Sequence, residues 1–463
     1  MSEKHAKNLT DGSVVKRLLV FALPLLLSNI VQSLYSVADM WIVGRYNGPV
    51  GISGVNIGGN VTFLMTMMVI GLCVGSTVII AQYVGSKSLE KIQSTISTLL
   101  VSLVIAAIFI TTIMLFLSTP ILKLINTPEE SFTEAKKYLN VTVIGIIFIF
   151  LYNALSSIMR GMGNSKTPMT FIIIACCTNV VLDFILVGKF GMGATGAALA
   201  TVISQALSMI LCIIYLKSQN FTFDFKFASF KFNKEQFSLL MKIGMPISIT
   251  NVINNISFLF LTSIVNTFGI MASSGVGVVG KFNGFAIMPA IAISASVSTL
   301  GAQNIGAGRN DRAKKTLFTG FAVAFLLTSV IFIIAQLFPS GIISIFDKTP
   351  EMVELGASYL KVSSYVYLII PFTFCLNGFL NGSGHSMITS VSNMCSSLLF
   401  RIPIAYFLGI YSGLGLTGVA LSMPFSDLGA AVISFIYFLT GKWKKSNILN
   451  DDLSAQAALI SDN

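Results

Sequence analysis

Residues 191–196 read Gly-Met-Gly-Ala-Thr-Gly, and residues 413–418 read Gly-Leu-Gly-Leu-Thr-Gly. The pattern Gly-x-Gly-x-Thr-Gly therefore occurs twice in one chain. Four further motifs recur with the same spacing to within one position: Pro24 as Pro246, Gln82-x-x-Gly85 as Gln303-x-x-Gly306, Thr127-Pro128-Glu129 as Thr349-Pro350-Glu351, and Gly161-x-Gly163 as Gly382-x-Gly384. A nearly constant spacing between matching motifs predicts a chain built from two similar halves.

The composition of the 463 residues places both halves in a lipid bilayer. Only 10% of the residues are charged and 54% are hydrophobic, whereas roughly a quarter of an ordinary soluble domain is charged. Long apolar runs favour helices, because a helix satisfies its own backbone hydrogen bonds in lipid. Twelve runs are long enough to span, at about 14–43, 50–80, 92–118, 135–159, 166–188, 194–216, 236–266, 276–300, 315–338, 353–380, 386–410 and 414–440.

Six spans in each half give the two halves the same orientation, because six is an even number. The halves are then related by an axis along the membrane normal, as in parallel-repeat transporters. We predict an all-α integral membrane protein with twelve transmembrane helices in two six-helix lobes around a central cavity. The expected divisions are an N-terminal lobe at 1–216, a cytoplasmic interlobe linker at 217–235, a C-terminal lobe at 236–440 and a cytoplasmic tail at 441–463.

The basic residues predict which side of the membrane each connection faces. Of the 29 Lys and Arg residues, 20 fall in the tails and even-numbered connections, 7 in the opposite connections, and Lys281 and Arg401 within spans. Cytoplasmic loops carry the excess of positive charge, so both termini of this multi-pass cell-membrane protein are expected in the cytoplasm. The same bias explains most of the net charge of +11 without a nucleic-acid partner.

The sequence does not contain the motifs of several common metal and nucleotide sites. The six Cys lie in apolar stretches without a Cys-x-x-Cys pair, and the two His are far apart, which argues against a zinc site. The Gly-Lys pairs at Gly188, Gly280 and Gly441 precede Phe, Phe and Trp, so none is an ATP-binding loop. We expect no cofactor, no enzymatic activity and a monomer without an obligate protein partner. Energy for uphill transport must come from an ion gradient or from a partner subunit.

Three acidic residues, Asp39, Asp183 and Asp427, lie inside the predicted spans. A carboxylate at bilayer depth costs a few kcal/mol, so the default interpretation is an ion or substrate site that faces a cavity. The alternative is a polar contact that holds helices together.

Helical spacing groups other polar residues with two of these acids. Gln32, Tyr35, Ser36 and Asp39 recur at intervals of three and four along the first span and predict one polar stripe. Asn179 lies one turn before Asp183 on the fifth span. Two carboxylates flanked by amide and hydroxyl oxygens suit a Na⁺ ion or a shared proton, and sequence alone does not separate these.

The repeat predicts that this ion chemistry belongs to the N-terminal lobe alone, since Asp39 aligns with Leu261 and Asp183 with Ala405. Asp427 aligns with Gln205, which favours a structural polar contact. For Lys281 and Arg401, the default interpretation is a side chain that reaches the membrane interface or pairs with a helix end.

The sequence resembles the multidrug and toxic compound extrusion (MATE) family across positions 14–440. The resemblance lies in Pro24-Leu25-Leu26-Leu27, Gln32, Ala38-Asp39, Ile42-Val43-Gly44-Arg45, Ala81-Gln82-Tyr83-Val84-Gly85, Arg160-Gly161-x-Gly163 and Asn179-Val180-Val181-Leu182-Asp183. It implies export of organic cations and other xenobiotics by antiport against H⁺ or Na⁺.

The pair Asn179 and Asp183 is similar to the DinF-like branch of the family. That likeness implies a cation-coupling site at Asp39, Asn179, Asp183 and Thr201, with Na⁺ a candidate ion at the first three. It also implies a substrate cavity that contains Gln32, Tyr35, Ser36 and Asn153. The seventh span reads Asn251-Val252-Ile253-Asn254-Asn255, without the acid of the NorM-like branch, so a C-lobe cation site is not expected.

Two other functions remain open at this point. A flippase for lipids or lipid-linked saccharides would need a cationic cavity for pyrophosphate, and the spans supply only Lys281 and Arg401. A channel would not need an acid pair confined to one lobe.

Overall fold

The computed structural model describes residues 7–219 and 221–449, and helices form most of this chain. The first repeat contains α1 (Val14–Gly85), α2 (Leu89–Leu124), α3 (Glu129–Ile144), α4 (Ile146–Gly161), α5 (Lys166–Asp183) and α6 (Gly193–Ser218). The second contains α7 (Lys234–Asn266), α8 (Ile270–Ala286), α9 (Met288–Gly306), α10 (Asn310–Leu337), α11 (Pro339–Ser344), α12 (Pro350–Ser363), α13 (Val366–Gly382), α14 (Ser386–Cys395), α15 (Ile402–Tyr406) and α16 (Gly415–Leu439). Within the described ranges no β-strand occurs, and the predicted all-α class is confirmed.

Both repeats contain π-helical turns in the fifth span, one in the first repeat and two in the second. One π-helical segment, Phe184–Lys189, follows α5, and two others, Ser396–Arg401 and Phe407–Tyr411, flank α15. Two short 3₁₀ helices cover Phe227–Ser229 and Lys442–Lys444. π-helical turns inside α-helices are rare and often lie at functional sites.

The number of spans agrees with the prediction once α1 is divided. Among the described residues, nine helices are long and apolar enough to cross a membrane, and there are eleven candidate spans if α3–α4 and α12–α13 each count as one. The 72 residues of α1 would extend about 108 Å at about 1.5 Å per residue, far beyond a hydrocarbon core of about 30 Å. Gly48, with φ 66° and ψ −166°, breaks α1 into two spans and brings the total to twelve.

Each repeat contains one bent span at the same position. The axes of α3 and α4 meet at 51°, and those of α12 and α13 meet at 46°. Sequence hydrophobicity predicts each pair as a single run and does not show the bend. The shared bend is the structural counterpart of the sequence repeat.

The described chain divides into two compact units. The first lobe contains Lys7 and residues 27–248, and the second lobe contains residues 8–26 and 249–449. Both divisions fall inside helices, after Leu26 in α1 and after Ser248 in α7. The divisions proposed from the sequence lie in the connection between α6 and α7 instead, so they follow the order of the repeats rather than the compact units.

The proposed linker at 217–235 packs within the first lobe. Ser97 on α2 donates to the carbonyl oxygen of Lys231 at 2.7 Å, and it accepts the Lys231 backbone N–H at 2.6 Å. Gln93 donates to the carbonyl oxygen of Thr222 at 2.7 Å. The segment is therefore fixed to the N-terminal part of α2.

Candidate functional site

Asp39 and Asp183 lie together in the first lobe. Asp39 is on α1 and 9% exposed, and Asp183 is the last residue of α5 and fully buried. Their carboxyl groups lie close enough to interact electrostatically. Beside them Trp41 and Phe184 make an edge-to-face ring contact with centroids 6.3 Å apart, which fixes α1 against the end of α5.

Asn179 and Thr201 complete this group. We assign the Asn179 amide with its nitrogen toward Asp183, where it donates to Oδ2 at 3.0 Å, and with its oxygen accepting the backbone N–H of Thr201 at 3.2 Å. Tyr138 also lies beside the Thr201 side chain. The structure therefore brings together all four residues proposed for cation coupling.

The acid pair has unsatisfied oxygen atoms. Asp39 Oδ1 and Asp183 Oδ1 are both buried and have no hydrogen-bond partner. A buried carboxylate oxygen without a partner carries a large desolvation cost, and two adjacent negative charges add repulsion. A proton or a small cation at the pair would remove both costs.

A cavity of about 300 Å³ lies in the same lobe, next to the acid pair. Gln32, Tyr35 and Asn153 line it, and Tyr35 also interacts electrostatically with both acids. Asp39 lies one helical turn beyond Tyr35 on α1. Ser36, the fourth residue proposed for the substrate cavity, is exposed and is not part of this lining; its hydroxyl donates to the carbonyl oxygen of Gln32 at 3.0 Å.

The structure adds Arg160 to this cavity. The sequence places Arg160 in a cytoplasmic connection, but it lies in the last turn of α4 and lines the cavity with Asn153 and Ser156. These three residues are spaced at intervals of three and four, as one face of a helix requires. This helical spacing could have identified Arg160 from the sequence. Assigning Arg160 to a connection because of its charge overlooked the spacing.

The second lobe differs at each corresponding acid. Leu261 and Ala405, which align with Asp39 and Asp183, are both buried apolar side chains. Asp427 lines a cavity of about 560 Å³ together with Arg401. Arg401 is only 7% exposed, so its side chain is enclosed within the lobe, whereas Lys281 is exposed.

The protein offers few ligands for a Na⁺ ion at the acid pair. Among the residues that the structure describes, no three His, Cys, Asp or Glu side chains come close enough to hold a metal ion together. The two carboxylates would have to act with neutral oxygens, and the Asn179 oxygen is engaged by Thr201.

Comparison with known proteins places these features in one family. The family profile described as MatE matches residues 24–185 and 246–407, one match in each repeat. The Probable multidrug resistance protein YpnP of Bacillus subtilis is 28% identical over 448 residues, covering 96% of this chain and 99% of its own. The Probable multidrug resistance protein NorM of Thermotoga maritima is 27% identical over 444 residues, covering 94% of both chains.

Solved structures show the same fold. A MOP superfamily transporter from Pyrococcus furiosus aligns with a TM-score of 0.90 at 21% identity, covering 96% of this chain and all of its own. The outward-facing conformation of a multidrug resistance MATE family transporter aligns with a TM-score of 0.88 at 22% identity and the same coverage. The protein is thus a multi-pass membrane transporter rather than an enzyme, and the chain belongs to the MATE family of multidrug efflux transporters.

Proposed function

We propose that this protein exports organic cations and other xenobiotics across the cell membrane by antiport, with Asp39 and Asp183 as the coupling site. The observation that carries the proposal is the buried acid pair, in which one oxygen of each carboxyl group has no hydrogen-bond partner. Two carboxyl groups can donate to one another only while at least one proton is present. The pair therefore has a loaded state and an empty, more negative state.

The orientation of Asn179 favours H⁺ over Na⁺ as the coupling ion. In the assigned orientation the amide nitrogen faces Asp183 and the oxygen faces the Thr201 backbone, which leaves no Asn179 oxygen for a cation between the acids. Hard cations such as Na⁺ need several oxygen ligands at once. A proton needs only the two carboxyl groups that already lie together.

Tyr35 connects the coupling site to the proposed substrate cavity. Proton release leaves the acid pair more negative, and Tyr35 interacts electrostatically with both acids while it lines the cavity with Gln32 and Asn153. A cationic substrate is then attracted to the cavity in the empty state and released after proton binding. Such competition between ion and substrate is the coupling that antiport requires.

The energy available matches this scheme. One pH unit supplies about 1.4 kcal/mol per proton, and 100 mV supplies about 2.3 kcal/mol per elementary charge. Exchange of one proton for one monovalent cation moves no net charge, so the pH gradient alone drives it. A higher proton stoichiometry would also use the membrane potential.

Ethidium transport into proteoliposomes of known sidedness tests the proposal, with pH and Na⁺ gradients imposed separately. Wild-type protein is expected to move ethidium under the pH gradient, while Asp39→Asn and Asp183→Asn lose gradient-driven transport. The matched control is Asp311→Asn, which changes an exposed carboxylate at the start of α10 and should transport normally.

The sodium arm tests the choice of ion. Transport driven by a Na⁺ gradient alone would show that Na⁺ rather than H⁺ is the coupling ion, with Asp39 and Asp183 still the coupling site. Transport that neither gradient drives, or that Asp39→Asn leaves intact, would overturn the antiport mechanism.

A further inference from the structure

The second lobe contains a cavity larger than the one beside the acid pair. It occupies about 560 Å³, and its walls are largely apolar and aromatic, with Phe258, Tyr359 and Tyr367 among them. Two ionisable side chains of opposite sign, Arg401 and Asp427, also line it. Neither has a part in the proposed cation coupling.

Arg401 is buried without full hydrogen bonding. Its side chain is 7% exposed, and its Nε and Nη1 atoms have no hydrogen-bond partner. Its guanidinium carbon lies 4.6 Å from the centroid of the Phe258 ring, which orients the group but satisfies neither donor. Since a buried unsatisfied charge is costly, each of these two donors marks a place where a hydrogen-bond acceptor would be favourable.

The repeat shows how this position relates to the first lobe. Gly163 corresponds to Gly384 and Gly191 to Gly413, and all four have positive φ. The stretch from Gly384 to Gly413 is one residue longer than the stretch from Gly163 to Gly191. The π-helical segment Ser396–Arg401 can absorb the extra residue, because a π turn accommodates a single insertion.

With the insertion placed in that segment, Arg401 corresponds to Asn179 and Ala405 to Asp183. Leu261, the counterpart of Asp39, and Met423, the counterpart of Thr201, line the same cavity as Arg401. The position that holds two carboxyl groups in the first lobe thus holds two apolar residues and one cation in the second. At these aligned positions a cation replaces the two acids, while Asp427 supplies a negative charge elsewhere in the cavity lining.

We propose that the second-lobe cavity binds aromatic organic carboxylates, with Arg401 receiving the carboxylate and the aromatic wall receiving the ring. The planar guanidinium presents its N–H groups in a fork that matches a carboxylate. This binding requires no ion gradient, so it stands or falls separately from the proposed antiport.

Substitutions at Asp427 and Arg401 are expected to change carboxylate affinity in opposite directions. Arg401 and Asp427 interact electrostatically, so the acid competes with an incoming carboxylate for the same positive charge. Removing that acid should strengthen carboxylate binding, while removing the Arg401 charge should weaken it. A structural pair without a ligand would not produce these opposite effects.

Equilibrium dialysis of purified full-length protein in lipid nanodiscs tests the site, with 2-naphthoate as the probe and neutral 2-naphthamide as its analogue. Empty nanodiscs correct for lipid partitioning. Wild-type protein should bind naphthoate more tightly than naphthamide. Arg401→Gln should weaken naphthoate binding by about tenfold or more, the effect of losing a hydrogen bond to a charged group, and leave naphthamide binding nearly unchanged.

Lys281→Gln is the matched control, because it removes an exposed positive charge from the same lobe. It should leave naphthoate binding unchanged, Arg401→Lys should retain part of it, and Asp427→Asn should increase it. Equal binding of naphthoate and naphthamide by wild-type protein would overturn the proposal even if Arg401→Gln does not fold. Equal weakening of both probes in Arg401→Gln would assign Arg401 a structural role only.

Discussion

At the scale of single residues, the proximity of Asp39 and Asp183 makes them one chemical unit. A proton shared by two carboxyl groups belongs to the pair, and its loss changes the charge of both. Asn179 steadies this unit by donating to Asp183 Oδ2. Under the proposed mechanism, removing either acid also removes the shared proton.

Non-additivity is the expected consequence for transport. Asp39→Asn and Asp183→Asn should each reduce proton-coupled ethidium transport to the background rate, and the double variant should be no slower than either single variant. Residues that act as a unit give such non-additive losses. Initial rates in proteoliposomes under a fixed pH gradient provide the measurement. Two partial losses that multiply in the double variant would show that the acids act independently.

Sequence reasoning found the acids and missed the two arginines that line cavities. Carboxylates are so rare in these apolar runs that Asp39 and Asp183 stand out without any structure. Arg160 lies near a span end, where a charge count places it in a connection, although the structure puts it in a cavity lining. For Arg401 the sequence favoured a side chain that reaches the interface or pairs with a helix end, and it does not reveal that Arg401 is buried at the end of a π turn.

At the scale of helices, glycines permit the closest contacts. A Cβ atom on Gly71 of α1 would lie 2.5 Å from the backbone nitrogen of Ser248 and 2.6 Å from the carbonyl oxygen of Gly244, both on α7. Ser248 also donates to the carbonyl oxygen of Met68 at 2.5 Å. The close packing of α1 against α7 therefore requires glycine at position 71. Small residues often have this role where helices pack in membranes.

Gly71→Ala is expected to destabilise the protein by about 1–3 kcal/mol, because two backbones must move apart to admit one methyl group. Thermal unfolding in detergent, followed with a thiol-reactive dye, measures the change as a lower Tm. Gly59→Ala on the same helix is the control, since its Cβ would meet only the Tyr138 side chain, at 3.9 Å or more. An unchanged Tm for Gly71→Ala would show that this helix contact is looser than described.

The hydrophobic runs predicted the positions of these helices. They did not predict the bends and π turns within them. The twelve runs correspond to the observed spans because insertion into lipid depends mainly on length and apolar content. The bends of 51° and 46° inside two spans leave both halves apolar, so hydropathy does not detect them. The π turns likewise change the register by one residue without changing composition.

At the scale of the whole molecule, the distribution of Lys and Arg predicts that both termini face the cytoplasm. In the cell, Lys348→Cys, between α11 and α12, should react with a membrane-impermeant maleimide added to intact cells. Lys314→Cys, near the start of α10, should react only after permeabilisation. Both side chains are exposed, so access depends on the side of the membrane. Labelling of Lys314→Cys in intact cells, with Lys348→Cys protected, would reverse the predicted orientation.

The two lobes do not coincide with the two repeats. Residues 8–26 of the first repeat belong to the second lobe, and residues up to 248, including the first part of α7, belong to the first lobe. The crossing points, after Leu26 and after Ser248, occupy equivalent places in the repeats, because each follows the repeated proline by two positions. The exchange is therefore as symmetric as the sequence repeat itself.

This exchange constrains the ancestry of the chain. A six-helix precursor with the same crossing point could not have completed a lobe alone, because the start of its first helix would belong to the neighbouring lobe. Two precursor chains would have had to swap these segments as a homodimer. Fusion of two such genes would turn the intermolecular exchange into an intramolecular one, after which the two lobes could diverge into one with an acid pair and one with an arginine.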